Sequence, residues 1–285
     1  MSLYQINITK SIKWDAGNNL NGLISGMRGS GKTFLALALM VELCTLPMRD
    51  TASLLGSTLL PTQIFAIDVK NASVGRLKRL PSMKERVATA KVEALKLLDH
   101  YLDLMFKRID FINKFDFGET ATSLQMPLYY LLLDEFSATN ALFNDATSKE
   151  DKQMKYHWNA DLRKLMLTNR LPGFGIFIIS QQTSVGNSGI GSDLQQECGF
   201  KCYMGSAPMS EYRLTFGNEV KVPDMHLGIG QGFLWEQGLV TSGYVLPFSA
   251  PQIDKSNFWG ILKSAMKLQD DKYLTYSLRQ DIRNT

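Results

Sequence analysis

Residues 26–33 read Gly26-Met27-Arg28-Gly29-Ser30-Gly31-Lys32-Thr33, and this stretch decides the fold. The pattern Gly-x-x-x-x-Gly-Lys-Thr has a mechanical reason at each fixed position. Gly26 and Gly31 let the backbone curl around an anion with no side chain in the way. Successive backbone N–H groups then point inward, above the positive end of a helix. Lys32 reaches the β- and γ-phosphates of a nucleotide, and the Thr33 hydroxyl faces Mg²⁺. A random chain of this length shows the pattern roughly 1% of the time, given glycine near 7% of residues. Context tightens this: Leu20 to Ser25 form a strand-like run, and Phe34 to Leu46 form a helix too apolar for a surface. Residues 26–34, Phe34 included, are therefore the expected cofactor-binding set, with ATP and Mg²⁺ as the cofactors.

Working outward, strand and helix patterns alternate, which predicts an α/β domain with a mostly parallel central sheet. Tyr4 to Thr9 alternate as a strand, and Gln63 to Asp68 form an apolar run that ends on an acid. Residues 85–114 predict one long helix, because Leu95, Leu98, Leu102, Met105, Ile109 and Ile112 make a continuous stripe. Leu128 to Leu133 and Gly175 to Ser180 are apolar throughout, as strands covered on both faces are. Phe200 to Met204, Gly232 to Trp235 and Gly243 to Leu246 predict later strands, while the polar residues 144–158 predict a loop. The helix candidate at Phe258, Trp259, Leu262 and Met266 is expected to pack back onto the domain. The expected division is a motor domain over 1–250, with a helical insertion near 80–120 and a polar one near 141–158, then a helical tail over 251–285.

Two further groups join the phosphate loop. Leu131-Leu132-Leu133 lead into Asp134 and Glu135, a buried strand ending in two acids, which is the Walker B arrangement. Asp134 is the expected Mg²⁺ holder with Thr33, and Glu135 the expected base that polarises the attacking water. Ile178-Ile179-Ser180-Gln181-Gln182 places an amide at the tip of another buried strand. Gln181 is the residue expected there to sense the γ-phosphate.

The bulk properties bound the partners. The chain has 285 residues, a net charge of +4, 45% hydrophobic and 20% charged residues. That is an ordinary globular balance, and it permits an anionic partner without demanding one. Three cysteines (Cys44, Cys198, Cys202) without a Cys-x-x-Cys pair argue against a disulfide framework or zinc site, and favour a reducing cytoplasm. His100, His157 and His226 are far apart in sequence and read as surface or packing residues rather than metal ligands. No run approaches the roughly 20 apolar residues that span a bilayer, so cytoplasmic residence, with any membrane recruitment through a partner, is the expectation.

The motifs in order resemble those of the FtsK/SpoIIIE/HerA group of DNA-pumping ATPases, which includes coupling proteins of conjugative elements. The resemblance covers roughly residues 20–250. Ile24 to Thr33 is similar to that group's Walker A, Ile67-Asp68-Val69-Lys70 to its Asp-x-Lys segment, and Met105-Phe106-Lys107-Arg108 to its Met-x-x-Arg helix. Leu131 to Phe136 resembles its Walker B. Asn169 to Gly175 with the strand to Gln182 resembles its Gly-Arg-x-x-Gly stretch, with Asn169 in place of glycine and Pro172 unusual. Ser210 to Gly217 and Gly228 to Phe233 resemble its later helix and Gly-x-Gly hairpin. The resemblance implies a RecA-like fold working as a homo-hexamer on single- or double-stranded DNA, and a relaxase, secretion-channel or membrane-anchored protein as a further partner. It also implies an arginine acting from the neighbouring subunit, for which Arg170 and Arg213 are the candidates. No winged helix for reading DNA direction is visible in the sequence.

DNA binding requires a basic surface. The densest basic stretch, residues 70–91, carries Lys70, Arg76, Lys78, Arg79, Lys84, Arg86 and Lys91 against Glu85 alone. A solvated face explains it equally well. The small-residue stretch 185–192 suits a loop gripping phosphates, or a plain flexible loop. Three functions follow: a DNA translocase that feeds a conjugative transfer channel, a motor that packages a viral genome, and a nucleotide-dependent assembly switch with a protein partner.

Overall fold

In the computed structural model, residues 4–10, 12–46, 61–181, 190–238, 243–254 and 256–277 are described. Strands β1 (Gln5–Asn7) and β2 (Lys13–Asp15) pair as a small antiparallel hairpin. Its Trp14 is fully buried and meets Tyr130, Phe177 and Phe200 of the main sheet at ring separations of 5.8, 5.0 and 5.1 Å. The hairpin therefore caps one face of the sheet. The sequence alternation at Tyr4 to Thr9 finds only the first of its two strands, because β2 is too short to show a period.

The main sheet contains β3 (Asn21–Gly26), β4 (Gln63–Ile67), β5 (Val87–Ala88), β6 (Tyr129–Leu133), β7 (Phe174–Ser180), β8 (Phe200–Met204), β9 (Gln231–Glu236) and β10 (Leu246–Ser249). Its order is β10-β9-β8-β3-β7-β6-β4-β5. The six strands from β8 to β5 run parallel, and β9 and β10 close one edge antiparallel. This is the mostly parallel α/β sheet read from the sequence. The last strand begins three residues beyond Gly243, and Tyr244 makes only an isolated bridge to Lys221.

Helices cover both faces. They are α1 (Lys32–Cys44), α2 (Lys91–Ile112), α3 (Phe136–Asn144), α4 (Lys149–Thr168), α5 (Ser192–Gln196), α6 (Met209–Phe216) and α7 (Phe258–Ala265). Side chains alternate along each central strand as the pleat requires. Ile24, Ala66, Leu132 and Ile179 face α1, α7 and the hairpin, whereas Leu23, Phe65, Leu131 and Ile178 face α2, α3 and α4.

Three expectations need correction. The long helix starts at Lys91, not 85, because residues 75–86 form two 3₁₀ turns and β5 extends the sheet. Residues 149–158, read as loop, are the first half of α4. Ser148 caps that helix by accepting from the Asp151 N–H, and Glu150 and Asp151 complement its positive end. Its lone aromatic anchor, Trp158, is fully buried against Phe143 at 4.4 Å with nearly parallel rings. Polarity along the rest of that half reflects an exposed helix face rather than a loop. Finally, α7 lays Phe258 and Leu262 into the domain, joined by Met266 just past its end, while Trp259, counted with them, is exposed. Pro47, Gln182 and residues 185–189 lie outside the described residues.

Arg108, the last residue of the Met-x-x-Arg segment, is fully buried. Its guanidinium donates to the carbonyls of Leu274 (2.7 Å), Pro127 (2.7 Å), Pro172 (3.2 Å) and Tyr273 (3.3 Å). It also lies 4.4 Å from the Tyr129 ring centre and 5.3 Å from that of Phe174. Burial pulls its pKa down to about 10. One cation thus ties α2, the loops before β6 and β7, and the segment after α7 together at the end of the sheet away from the glycine loop.

Candidate active site

The glycine loop hangs from the end of β3 and opens α1. Gly26 has φ 141°, and a Cβ there would lie 2.3 Å from the Met204 carbonyl oxygen of neighbouring β8. The sheet itself, as well as an anion, therefore requires glycine at this position. Gly31, at φ 102°, stands at the start of α1 in a conformation that L side chains disfavour. Lys32 folds back and donates from Nζ to the carbonyls of Gly26 (2.7 Å) and Met27 (2.8 Å). Burial lowers its pKa, against the pull of Glu135 and Asp134. The loop is braced from the side: Gly230 N–H donates to the Ser30 carbonyl (3.1 Å), and Ala250 N–H donates to that of Gly230 (2.7 Å).

Strand order explains what meets the loop. β7 lies between β3 and β6, so its tip stands between the glycine loop and the two acids. Gln181, just past that tip, donates from Nε2 to Glu135 Oε1 at 2.7 Å. Lys70, just past β4, holds Glu135 Oε2 at 2.8 Å. Glu135 has φ 51° and ψ 51°, a left-handed conformation that costs a non-glycine residue of order 1–3 kcal/mol and concentrates at functional positions. Burial pushes the Glu135 carboxyl up, but the Lys70 and Gln181 hydrogen bonds outweigh it and hold it below the usual glutamate value.

Asp134 is 3% exposed and approaches the Thr33 hydroxyl at 3.5 Å. Burial first, then the charges of Asp68 and Glu135, push its carboxyl up to about 7. Asp68 is fully buried. Its Oδ2 accepts from Ala72 and Gly75 N–H, whereas its Oδ1 is a buried oxygen without a hydrogen-bond partner. Hard oxygen donors with a buried, unsatisfied carboxylate oxygen fit a divalent cation such as Mg²⁺. The cation-free protein is expected to lose stability as pH rises from about 4 to about 7. In that range folded Asp134 keeps a proton that the unfolded chain releases, so the folded state binds more protons and the slope is negative. Chemical denaturation at several pH values checks this, and Asp134→Asn should flatten the slope.

Beside these groups lies a cleft of about 710 Å³, lined by Arg28 to Leu35 without Ser30, by Glu135 and Gln181, and by residues 229–231 and 249–253. That size suits a nucleotide. Phe34, Pro251 and Ile253 give its lining apolar surface, and Lys32 and Thr33 give it charge and a hydroxyl.

Comparison with known proteins returns no matching family model and no matching curated protein. Solved structures do match. The conjugation coupling protein TcpA of pCW3, solved as a monomer with ATPγS, superposes with TM-score 0.67 at 15% identity, over 92% of this chain and 69% of that one. The EssC ATPases 2 and 3 from Geobacillus thermodenitrificans give 0.61 at 15% identity, over 90% of this chain and 44% of theirs. The cytoplasmic domain of the Thermomonospora curvata type VII secretion ATPase EccC gives 0.58 at 16%, over 96% of this chain and 32% of its own. The chain shares the RecA-like P-loop fold of these proteins. It spans less than half of the EssC and EccC chains.

Within this P-loop fold, the residues expected from sequence gather unevenly. Lys32, Thr33, Asp134, Glu135 and Gln181 come together at one end of the sheet. Met27 is exposed at the loop's outer side, and Phe34 borders the cleft. Arg213, on α6, and Arg170, in the turn before β7, are both exposed and absent from the cleft lining. Arg170 sits at the opposite end of β7 from Gln181 and borders a polar hollow with Asn18 to Asn21. The basic stretch 70–91 is largely neutralised within the chain. Lys70 pairs with Glu135, Lys78 with Glu93, Lys91 with Asp151, and buried Arg86 with Asp271 while lying over the Phe65 ring. Exposed Arg76, Arg79 and Lys84 remain beside the β5 edge. Sequence reasoning gave no site role to Lys70 or Asp68. Their trace was the Asp-x-Lys segment at the end of β4, whose two polar residues straddle the acid cluster.

Proposed function

We propose that the chain hydrolyses ATP and uses the energy to move DNA, as the coupling motor that feeds a conjugative transfer channel. One observation carries the hydrolytic half. Glu135 stands in a strained backbone conformation between Lys70 and Gln181, one residue from Asp134 and across from the glycine loop. Nucleotide phosphates would lie on the loop N–H groups, and Lys32 would exchange its carbonyl partners for phosphate oxygens. Thr33 and Asp134, with Asp68 behind them, would hold Mg²⁺, which supplies charge neutralisation at the phosphates. Glu135 would orient and polarise the attacking water, and Gln181 would couple that carboxylate to the phosphate end of the cleft.

The likeness to a conjugation coupling protein over 92% of the chain supports the transfer reading. The internal neutralisation of residues 70–91 moves the expected DNA contacts away from that stretch. A homo-hexamer, with Arg170 or Arg213 completing the neighbour's site, accounts for arginines that do not reach their own cleft. A protein cargo is the second reading, favoured by the likeness to EccC ATPases 2 and 3, solved with a signal sequence peptide. No helix among the described residues is long and apolar enough to cross a membrane.

The test is ATP turnover by purified protein at low salt, with and without DNA. Turnover stimulated by DNA and abolished in Lys32→Ala is the expected outcome. Turnover indifferent to DNA, or surviving Lys32→Ala, would overturn the proposal, and stimulation by a peptide instead would establish the second reading.

A further inference from the structure

Outside the lining of the cleft, three ligand-type side chains converge between α2 and α4. Asp99 projects from α2. His157 and Asp161 project from α4 one turn apart, the i and i+4 positions that share a helix face. His157 Nε2 lies 3.1 Å from Asp99 Oδ1 and 2.9 Å from Asp161 Oδ2. One ligand atom from each residue falls within 4.8 Å of the other two.

The histidine ties both carboxylates, but hydrogen bonding inside the cluster is incomplete. Asp161 is 9% exposed, and its Oδ2 is ion-paired with His157 Nε2 at 2.9 Å without the alignment of a hydrogen bond. A single ring nitrogen can direct one N–H at one oxygen, yet two carboxylates press on it. The ligand oxygens of Asp99 and Asp161 also lie within 4.8 Å of each other. A cation at the point of convergence would satisfy the nitrogen lone pair and both oxygens together.

We infer that Asp99, His157 and Asp161 form a binding site for a divalent transition-metal ion of the Zn²⁺ class that fastens α4 to α2. The imidazole selects the metal: nitrogen donors suit zinc, cobalt and nickel, whereas magnesium and calcium prefer oxygen alone. Ligands at about 2.0–2.2 Å from a tetrahedral centre stand roughly 3.3–3.6 Å apart. The present separations need only a small opening, which the half-exposed His157 and Asp99 side chains allow. Water would complete the coordination from the exposed side. The Lys91–Asp151 ion pair, at 2.6 Å, already joins the same two helices nearer their N-termini, so the metal would be a second clasp along a parallel pair.

The test is a titration of Zn²⁺ into the metal-stripped, nucleotide-free full chain, followed calorimetrically, with Co²⁺ as a visible-absorption probe. One saturable equivalent is expected, together with a rise in the unfolding temperature that a chelator reverses. His157→Ala should weaken binding by on the order of 100-fold, and Asp99→Asn on the other helix should weaken it as well. Asp134→Asn should leave this site unchanged, which separates it from cation binding at the nucleotide cleft. Circular dichroism of each metal-free variant shows that it is folded before it is scored. Absence of saturable Zn²⁺ binding in the parent chain, retention of full affinity in His157→Ala, or loss of the site in Asp134→Asn would overturn the assignment.

Discussion

Glu135→Gln is expected to lower ATP turnover by about 10³-fold while leaving nucleotide binding within a few-fold of the parent. General-base catalysis by a positioned carboxylate contributes about 10²–10⁴-fold, and the amide keeps the shape but not the basicity. In the proposed reading, nucleotide affinity would rest on Lys32, Thr33 and the loop N–H groups, and the side chains of Lys32 and Thr33 make their hydrogen bonds elsewhere than to Glu135. Single-turnover hydrolysis beside equilibrium binding of a fluorescent nucleotide separates the two effects. Equal loss of both would mean that Glu135 only shapes the loop. Lys70→Ala gives the complementary readout. Lys70 helps to hold the Glu135 carboxyl below its usual value, so its removal should move the acidic limb of the pH–rate profile to higher pH. Lys70→Arg should restore it. A bystander lysine would leave the profile where it was.

The parts of this site that sequence exposed are those whose chemistry is local. The glycine loop needs glycine at fixed offsets, and the Walker B acids end an unmistakably apolar run, so both could be read from one stretch of chain. Gln181 was legible for the same reason, since a polar amide closes a run of Gly175 to Ser180. Strand order was not legible, because hydrophobic runs say that a strand is buried without saying beside which neighbour. That order puts Gln181 and Lys70 on either side of Glu135. Charge left residues 70–91 open between a basic surface and a solvated face, because pairing depends on the fold. Glu93, Glu135, Asp151 and Asp271 pair four of their cations, while Arg76, Arg79 and Lys84 stay exposed. The neighbourhood of His157 was not legible either, since it meets Asp99 only because α2 and α4 pack side by side. Residues 149–158 failed through periodicity: one buried tryptophan on an otherwise polar face carries too little hydrophobic pattern to read as a helix.

Arg108→Met is expected to cost about 3 kcal/mol of stability and to act first on the segment after α7. Methionine follows the apolar stem of Arg108 but ends short of the guanidinium, so a small cavity adds to the main effect. What it removes is the set of donors. The Leu274, Pro127 and Pro172 carbonyls each lose their Arg108 hydrogen bond at once. An unsatisfied buried acceptor costs about 1–3 kcal/mol, and the contacts with the Tyr129 and Phe174 rings are lost with the charge. Against these losses stands the desolvation of the buried cation, which methionine no longer has to bear. The balance sets the estimate near the lower end of the summed losses. For a chain of this size that is a fall of roughly 6–12 °C in the unfolding midpoint. Arg108→Lys keeps a donor for one or two of the carbonyls and should recover part of the loss. Location decides between this account and general loosening. Hydrogen exchange should rise earliest in residues 271–277 and in the turn before β7, because Arg108 is what joins them. The glycine loop and Glu135, at the other end of the sheet, should keep their protection and their nucleotide affinity below the new midpoint. Uniform exchange across the sheet, or an undiminished midpoint, would remove Arg108 as the joint between the end of the sheet and the segment after α7.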